Sequence, residues 1–120
     1  MSLTKEEVLE KMKEEGVVLL NVLPEAEFQK LHIRGSQSLP LTLDYARFIE
    51  EIEKKHGRQK LFITYGDHLS RADGASAAHA MRIHGFNAEN YPGGIQEWFD
   101  AGLPTEGTQA GNPTSQPVKG

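Results

Sequence analysis

Four residues whose types can do chemistry lie together near the middle of the chain. They belong to one six-residue segment, Gly66-Asp67-His68-Leu69-Ser70-Arg71. Asp67, His68 and Ser70 have the residue types of a hydrolytic triad, although residues so close in sequence rarely point at one another in triad geometry. Arg71 could bind an anion, or it could pair with a neighbouring carboxylate, Asp67 or Asp73, and close the loop. The segment therefore offers a hydrolase site, an anion site or a structural loop.

Metal binding and cysteine chemistry are less well supported. His68 with Asp67 and Asp73 has metal-ligating residue types, but no spacing such as His-x-x-x-His occurs there. His79 and His84 are one step beyond a shared helical face, so we expect them to be surface residues. The chain has no cysteine, which excludes disulfides, thiolate–metal sites and a cysteine nucleophile in this chain. We expect neither a metal nor a cofactor.

The elements on either side of the segment indicate how it is positioned. Leu61–Tyr65 is a short apolar run typical of a buried strand, and residues 72–84 have the alanine-rich helical spacing that Gly85 can end. A strand, a short loop and a helix bring backbone N–H groups together at the helix N-terminus, where they form an anion cradle. Gly66 stands where a nucleophile would be expected, or it is a glycine that the loop needs for positive φ.

The remaining chain alternates between helical and strand patterns. Thr4–Glu7 has the pattern of a capping box that opens a helix ending at Gly16, and His32–Gly35 is expected to be a turn. The other predicted elements are strands at 17–22, 38–41 and 88–91 and helices at 25–30, 43–56 (capped by Thr42, with Tyr45 on its apolar face) and 95–101. This alternation predicts an α/β fold, a small central parallel sheet with helices on both faces. Ligands bind beyond the carboxyl ends of such strands, where residues 66–71 are expected to lie.

Length and composition indicate how many domains the chain forms and which classes of partner it can bind. The 120 residues suffice for one domain, which we place at residues 1–106, and the polar residues 107–120 are typical of a disordered tail or linker. The net charge is −4, and between Leu61 and Glu106 only Arg71 and Arg82 oppose six carboxylates. We therefore expect no nucleic-acid partner. No bilayer-length apolar run or signal peptide is evident, so a cytoplasmic protein without a membrane partner is expected. We also expect the protein to be a monomer.

Three groups of residues, taken in order, resemble the rhodanese-like (sulfurtransferase) domain family in its single-domain form. The first signature of that family resembles Leu19-Leu20-Asn21-Val22, Glu27-Phe28, His32-Ile33-Arg34-Gly35-Ser36 and Leu39-Pro40. Its second signature resembles Tyr91-Pro92-Gly93-Gly94-Ile95-Gln96-Glu97-Trp98 and Ala101-Gly102-Leu103-Pro104. Between them, Ile63-Thr64-Tyr65 and six residues ending in Arg71 match the spacing of the family's active-site loop. The resemblance covers about residues 17–105 and implies the rhodanese-like fold.

The departures from the family pattern concern the chemistry. The resemblance places the family's catalytic cysteine at Gly66, which has no side chain and cannot carry a persulfide. The Asp and Arg of the first signature are replaced by Asn21 and Leu23, and its turn proline by Arg34. The fold is therefore expected to be kept, whereas the implied sulfurtransferase activity is not.

Three functional hypotheses follow. The first is a non-catalytic rhodanese-like module that binds a small anion or a protein partner through Gly66–Arg71. The second is a divergent enzyme: a sulfurtransferase assisted by a partner's cysteine, or a hydrolase or phosphatase-like enzyme that uses Ser70 or His68. The third is a structural domain joined to others through residues 107–120. We favour the first hypothesis because the loop keeps its length and Arg71 while the nucleophile is missing.

Overall fold

The computed structural model describes residues 2–68 and 72–109, and within them lie five α-helices and six β-strands. In chain order they are α1 (Lys5–Lys11), β1 (Val17–Asn21), α2 (Glu25–Lys30), β2 (His32–Ile33), β3 (Gln37–Ser38), α3 (Tyr45–His56), β4 (Leu61–Tyr65), α4 (Asp73–Ile83), β5 (Asn87–Tyr91), α5 (Gly94–Asp100) and β6 (Thr105–Glu106).

The main sheet has four parallel strands in the order β3-β1-β4-β5. Its centre is β4, whose five residues pair in register with all of β1 on one side and all of β5 on the other. A second sheet consists of β2 and β6, which pair antiparallel. The α/β fold with a small parallel sheet, predicted from the alternating patterns, is confirmed.

Two apolar cores, one on each face of the main sheet, hold the helices in place. On one face Phe48, Ile49 and Ile52 of α3 and three buried residues of α4 pack against β1, β4 and β5. On the other face Val8 of α1 and Trp98 of α5 pack against the alternate residues of the same strands. Because successive side chains of a strand point to opposite faces, the continuous apolar run of β4 serves both cores. Helices therefore cover both faces, as expected.

Helix α1 begins as the sequence predicts but ends earlier. The Thr4 side chain accepts from the Glu7 N–H and the Glu7 side chain accepts from the Thr4 N–H, which is a complete capping box. The helix ends at Lys11 rather than at Gly16. After Met12 the next apolar residue is Val17, so a longer helix would have no apolar face to bury. Gly16 instead turns the chain into β1 with φ +80°.

Three local predictions are corrected by contacts that are distant in sequence or by capping. His32 and Ile33 form β2 rather than a turn, because Thr105 and Glu106 pair with them. Strand β3 is Gln37–Ser38 and not residues 38–41, because Ser38 pairs with Asn21, the last residue of its neighbour β1. Helix α3 begins at Tyr45 because the Asp44 side chain, not Thr42, accepts from the Arg47 N–H. Tyr45 is 40% exposed, so it does not belong to the apolar face.

The described part of the chain ends against α2. The N–H groups of Thr108 and Gln109 donate to the carbonyls of Gln29 and Lys30 at 3.0 and 2.9 Å. Residues 110–120 lie outside the described part, and the domain boundary at 106 stays a prediction. Among the described residues, no helix is long and apolar enough to cross a bilayer.

Candidate functional site

The candidate site lies at the edge of the main sheet where the parallel strands end. Asn21, Tyr65 and Tyr91 are the last residues of β1, β4 and β5, and they are register partners. The segments that follow them therefore lie side by side, and the one that begins at Gly66 is in the middle. This is the position expected for a ligand site in a parallel sheet.

Gly66 is buried, and its backbone does not need glycine. It is not among the glycines with positive φ, so the expectation that the loop requires positive φ at this position is wrong. A Cβ on Gly66 would lie 3.4 Å from Asp73 Cβ, 3.6 Å from the Gly74 nitrogen and 3.9 Å from Leu23 Cδ2. These are ordinary van der Waals separations. The site has room for a side chain that the sequence does not supply.

Asp67 and His68 continue the segment at the surface. Their side chains are 40% and 41% exposed, and Asp67 Oδ2 is 3.7 Å from His68 Nε2. The carbonyls of Gly66 and Asp67 accept from the N–H groups of Ile95 and Gln96 at 3.0 and 2.9 Å. The first half of the loop is therefore fixed to the start of α5.

The second half of the loop, Leu69, Ser70 and Arg71, lies outside the described residues. Whether Ser70 approaches Asp67 and His68, and whether Arg71 pairs with a carboxylate or faces a ligand, stay predictions. In residues 2–68 and 72–109 no three His, Asp or Glu side chains are grouped in a way that could hold a metal ion. His79 and His84 are exposed, as the helical spacing suggests.

A close approach to the loop explains why residue 94, at the start of α5, is glycine. Gly94 has φ +68°, and a Cβ there would lie 2.7 Å from the carbonyl oxygens of both Gly66 and Asp67. Only glycine allows α5 to begin this close to the loop. The sequence places Gly94 in the second family-like signature, but sequence spacing does not reveal its contact with the loop.

A buried hydrogen-bond network supports the end of β4 just before Gly66. The Tyr65 hydroxyl accepts from Asn21 Nδ2 and from the Ile33 N–H, both at 3.0 Å, and lies 2.8 Å from Ser36 Oγ. Asn21 Oδ1 accepts from the Leu23 N–H at 2.9 Å. Burial raises the pKa of Tyr65, so the hydroxyl stays neutral and can serve as both acceptor and donor.

His32 and Trp98, which belong to the family-like signatures, make contacts that hold the fold together. His32 Nδ1 is 2.7 Å from the Phe28 carbonyl oxygen, and its ring stacks on Phe28 with centroids 3.8 Å apart. Trp98 is 1% exposed and donates from Nε1 to the Pro104 carbonyl at 2.8 Å. Both residues therefore contribute to the stability of the fold.

Sequence reasoning missed Asn90, Tyr91 and Glu97 beside the loop. Asn90 lies in the predicted strand 88–91, and Tyr91 and Glu97 belong to the second family-like signature, but the sequence assigns none of them to the site. The Tyr91 hydroxyl donates to Glu97 Oε1 at 2.6 Å. Burial first, and then the bond to Glu97 and its charge, raises the pKa of Tyr91. The one available signal was the polar character of Asn87-Ala88-Glu89-Asn90, which is unusual for a strand that packs against a helix.

With this geometry established, comparison with known proteins identifies the class. The sequence model of the rhodanese-like domain family matches residues 4–101. The chain therefore belongs to the rhodanese-like domain family, as the motifs in its sequence imply. No match was found among curated proteins.

Solved structures share the fold at low sequence identity. A protein of Bacillus halodurans has a TM-score of 0.77 and 22% identity, with 90% of this chain and 77% of that chain covered. The rhodanese-like domain of an Anabaena sp. protein has a TM-score of 0.77 and 18% identity, with 92% and 82% covered. A rhodanese-related protein of Thermoplasma volcanium has a TM-score of 0.66 and 24% identity, with 88% and 96% covered. These likenesses establish the fold and leave the activity to the residues of the site.

Proposed function

We propose that this chain is a rhodanese-like module without sulfurtransferase activity of its own, which binds a protein partner at the edge of the sheet around Gly66. One observation carries the proposal: the buried residue at the end of β4, where the resemblance implies the nucleophile, is a glycine. The 120 residues contain no cysteine that could take its place. A persulfide has no thiol in this chain on which to form.

The charges near the loop favour a protein partner. Asp67 directly follows Gly66, and Asp73 opens the first turn of α4. His68 also lines a cleft together with Glu6, Glu97 and Asp100, opposed only by Lys5. A small anion would meet carboxylates on the described sides of the loop, and like charges repel it.

A small anion at the loop is a second candidate. Helix α4 has 11 residues, and its N-cap residue, Ala72, makes no side-chain capping bond. Backbone N–H groups at a helix N-terminus favour negative charge, and Arg71 belongs to the same loop. Titration with sulfate, phosphate and thiosulfate, followed by amide chemical shifts, tests this candidate. Shifts of Gly66, Asp67 and Ala72 that saturate support it, and no response up to tens of millimolar removes it.

The experiment for the main proposal is thiosulfate-to-cyanide sulfur transfer by the wild type and by Gly66→Cys. We expect no turnover by the wild type. The cysteine variant is expected to gain turnover, because its Cβ fits without displacing a neighbour. Turnover by the wild type would overturn the proposal and indicate a nucleophile other than cysteine.

Silence of both proteins would mean that the loop has diverged beyond the loss of its nucleophile, with Asp67 opposing a thiolate. The companion measurement is retention of a partner by the wild type and by Asp67→Asn/His68→Gln, since a partner bound at this edge requires these side chains. Equal retention by both proteins argues against binding at the loop. Glu14→Gln, an exposed carboxylate after α1, is the control substitution.

A further inference from the structure

A cleft of about 540 Å³ lies beside the loop, between the N-terminal turn of α1 and helix α5. Leu3 and Pro92 contribute apolar surface to it, and His68 extends from the loop into its lining. Its volume is in the range that binds small molecules or a few side chains of a peptide.

Both walls of the cleft are held in place without a ligand. On the α1 side, the Leu3 N–H donates to the Asn90 carbonyl at 2.8 Å, and Leu3 is only 6% exposed. On the α5 side, Trp98 is buried and the Ile95 N–H donates to the Gly66 carbonyl. The cleft is therefore preformed, and a ligand does not have to order it.

The charges in the cleft do not cancel. Lys5 Nζ is 3.4 Å from Glu6 Oε2, so these two residues neutralise each other. Glu97 and Asp100 have no cationic partner within 4 Å among the described residues. Among the described residues, the donors to these carboxylates are neutral: the Tyr91 hydroxyl donates to Glu97, and Gln96 Nε2 donates to Asp100 at 3.0 and 3.1 Å.

Asp100 lies at an unfavourable position on α5 in the isolated domain, whereas Glu97 lies in the first turn, near the positive end of the helix dipole. Glu97 and Asp100 are three residues apart on one helix, where like charges repel. Asp100 is the last residue of α5, and the last turn contains no basic residue. A carboxylate there faces the negative end of the helix dipole. A cation between the two carboxylates would relieve both effects.

We propose that this cleft binds an arginine side chain from an extended segment of the partner protein. The planar guanidinium has five N–H donors, which suit two carboxylates one helical turn apart, and its methylenes suit Leu3 and Pro92. The rest of the segment would pass over His68 towards Gly66. The inference rests on the proposed function, because it names the chemistry of the partner that the module binds.

The probe is an acetylated and amidated pentapeptide with a central arginine between leucines, titrated into the ¹⁵N-labelled full chain. We expect saturable amide shifts at Leu3, Gln96, Glu97 and Asp100, with a dissociation constant of roughly 0.1–1 mM. The same peptide with citrulline has the shape of arginine without its charge, and we expect at least about fivefold weaker binding.

Matched variants assign the binding to the carboxylates. Glu97→Gln and Asp100→Asn keep the acceptors of Tyr91 and Gln96, so the fold is expected to persist, and each is expected to weaken peptide binding at least about fivefold. Glu14→Gln, away from the cleft, is expected to leave it unchanged. Absence of saturable shifts in the cleft, equal binding of the citrulline peptide, or equal binding by the two variants would overturn the inference. Spermidine binding as tightly as the peptide would also overturn it, in favour of a small-amine site.

The outcomes separate this inference from the proposed function. If the cleft does not bind the arginine peptide while partner retention still depends on Asp67 and His68, the inference fails and the module function stands. Sulfur transfer by the wild type would remove the proposed function whatever the peptide does.

Discussion

Asn90 Oδ1 occupies the space that a side chain at position 74 would fill. A Cβ on Gly74 would lie 2.4 Å from this oxygen, 3.1 Å from Tyr65 Cα and 3.3 Å from the Gly66 nitrogen. Asn90 Oδ1 is also the one buried side-chain polar atom of the described residues that has no hydrogen-bond partner. The first turn of α4 can therefore approach β4 and β5 closely only because residue 74 is glycine. Thr64 Oγ1, which donates to the Gly74 carbonyl at 2.7 Å, fixes this approach.

Gly74→Ala is expected to destabilise the fold by roughly 1–3 kcal/mol through overpacking. In an Asn90→Ala background the cost is expected to be clearly smaller, because the closest atom is removed and alanine favours the helix. Urea unfolding of the four proteins of this double-mutant cycle measures the coupling. If Gly74→Ala lowered the free energy of unfolding equally in both backgrounds, the contact with Asn90 would not be what excludes a side chain at position 74.

The glycines at 66 and 94 are expected to differ sharply in tolerance. Gly66→Ala is expected to change the free energy of unfolding by no more than about 0.5 kcal/mol, because its Cβ meets only van der Waals neighbours. Gly94→Ala is expected to cost more than about 2 kcal/mol, since it combines φ +68° with a clash against two backbone carbonyls.

Denaturant midpoints of the two alanine variants against the wild type check this difference. Gly102→Ala is a useful control, because it has φ +75° but nothing within 4 Å of the added Cβ. The loss of stability in Gly102→Ala measures backbone strain alone, so the additional loss in Gly94→Ala measures the steric clash. If Gly66→Ala were as damaging as Gly94→Ala, the loop would be tighter than the described contacts show.

Tyr65→Phe is expected to cost about 2–4 kcal/mol, because it leaves Asn21 Nδ2 and the Ile33 N–H buried without an acceptor. Tyr45→Phe removes a hydroxyl from a 40% exposed side chain and is expected to change stability by less than about 0.5 kcal/mol. Thermal or urea unfolding of both variants and of the wild type measures this difference in stability. A small effect of Tyr65→Phe would mean that water or Ser36 replaces the lost acceptor.

Stability is expected to fall at alkaline pH because the pKa values of Tyr65 and Tyr91 are raised in the folded state. In the unfolded chain both hydroxyls ionise at the ordinary tyrosine pKa of about 10, so the unfolded state releases its protons first. The two tyrosines therefore contribute fully to the free energy of unfolding below about pH 10, and this contribution is lost as the pH rises further. Unfolding measured between about pH 8 and pH 11 tests the trend, and Tyr91→Phe is expected to flatten it. A slope unchanged in that variant would contradict the assignment.

Elements that depend on neighbours in the chain could be predicted from the residues alone. The run Leu61–Tyr65 was placed to the residue, the capping box at Thr4 fixed the start of α1, and α2 was bounded correctly at Glu25–Lys30. Apolar periodicity and capping are local interactions, so they can be read from spacing alone. The rhodanese-like motifs and the glycine at position 66 could likewise be read from the residues.

Features formed where distant segments of the chain meet could be found only in the three-dimensional structure. Strand β2 exists because Thr105 and Glu106 return to His32 and Ile33, and no local pattern encodes that pairing. The structure also showed that the glycines at 74 and 94 are required by close approach, whereas Gly66 is not. The cleft with its uncompensated Glu97 and Asp100 arises from packing α1 against the β5–α5 turn. Positive φ, steric exclusion and charge compensation depend on where atoms lie in space, and sequence spacing does not fix these positions.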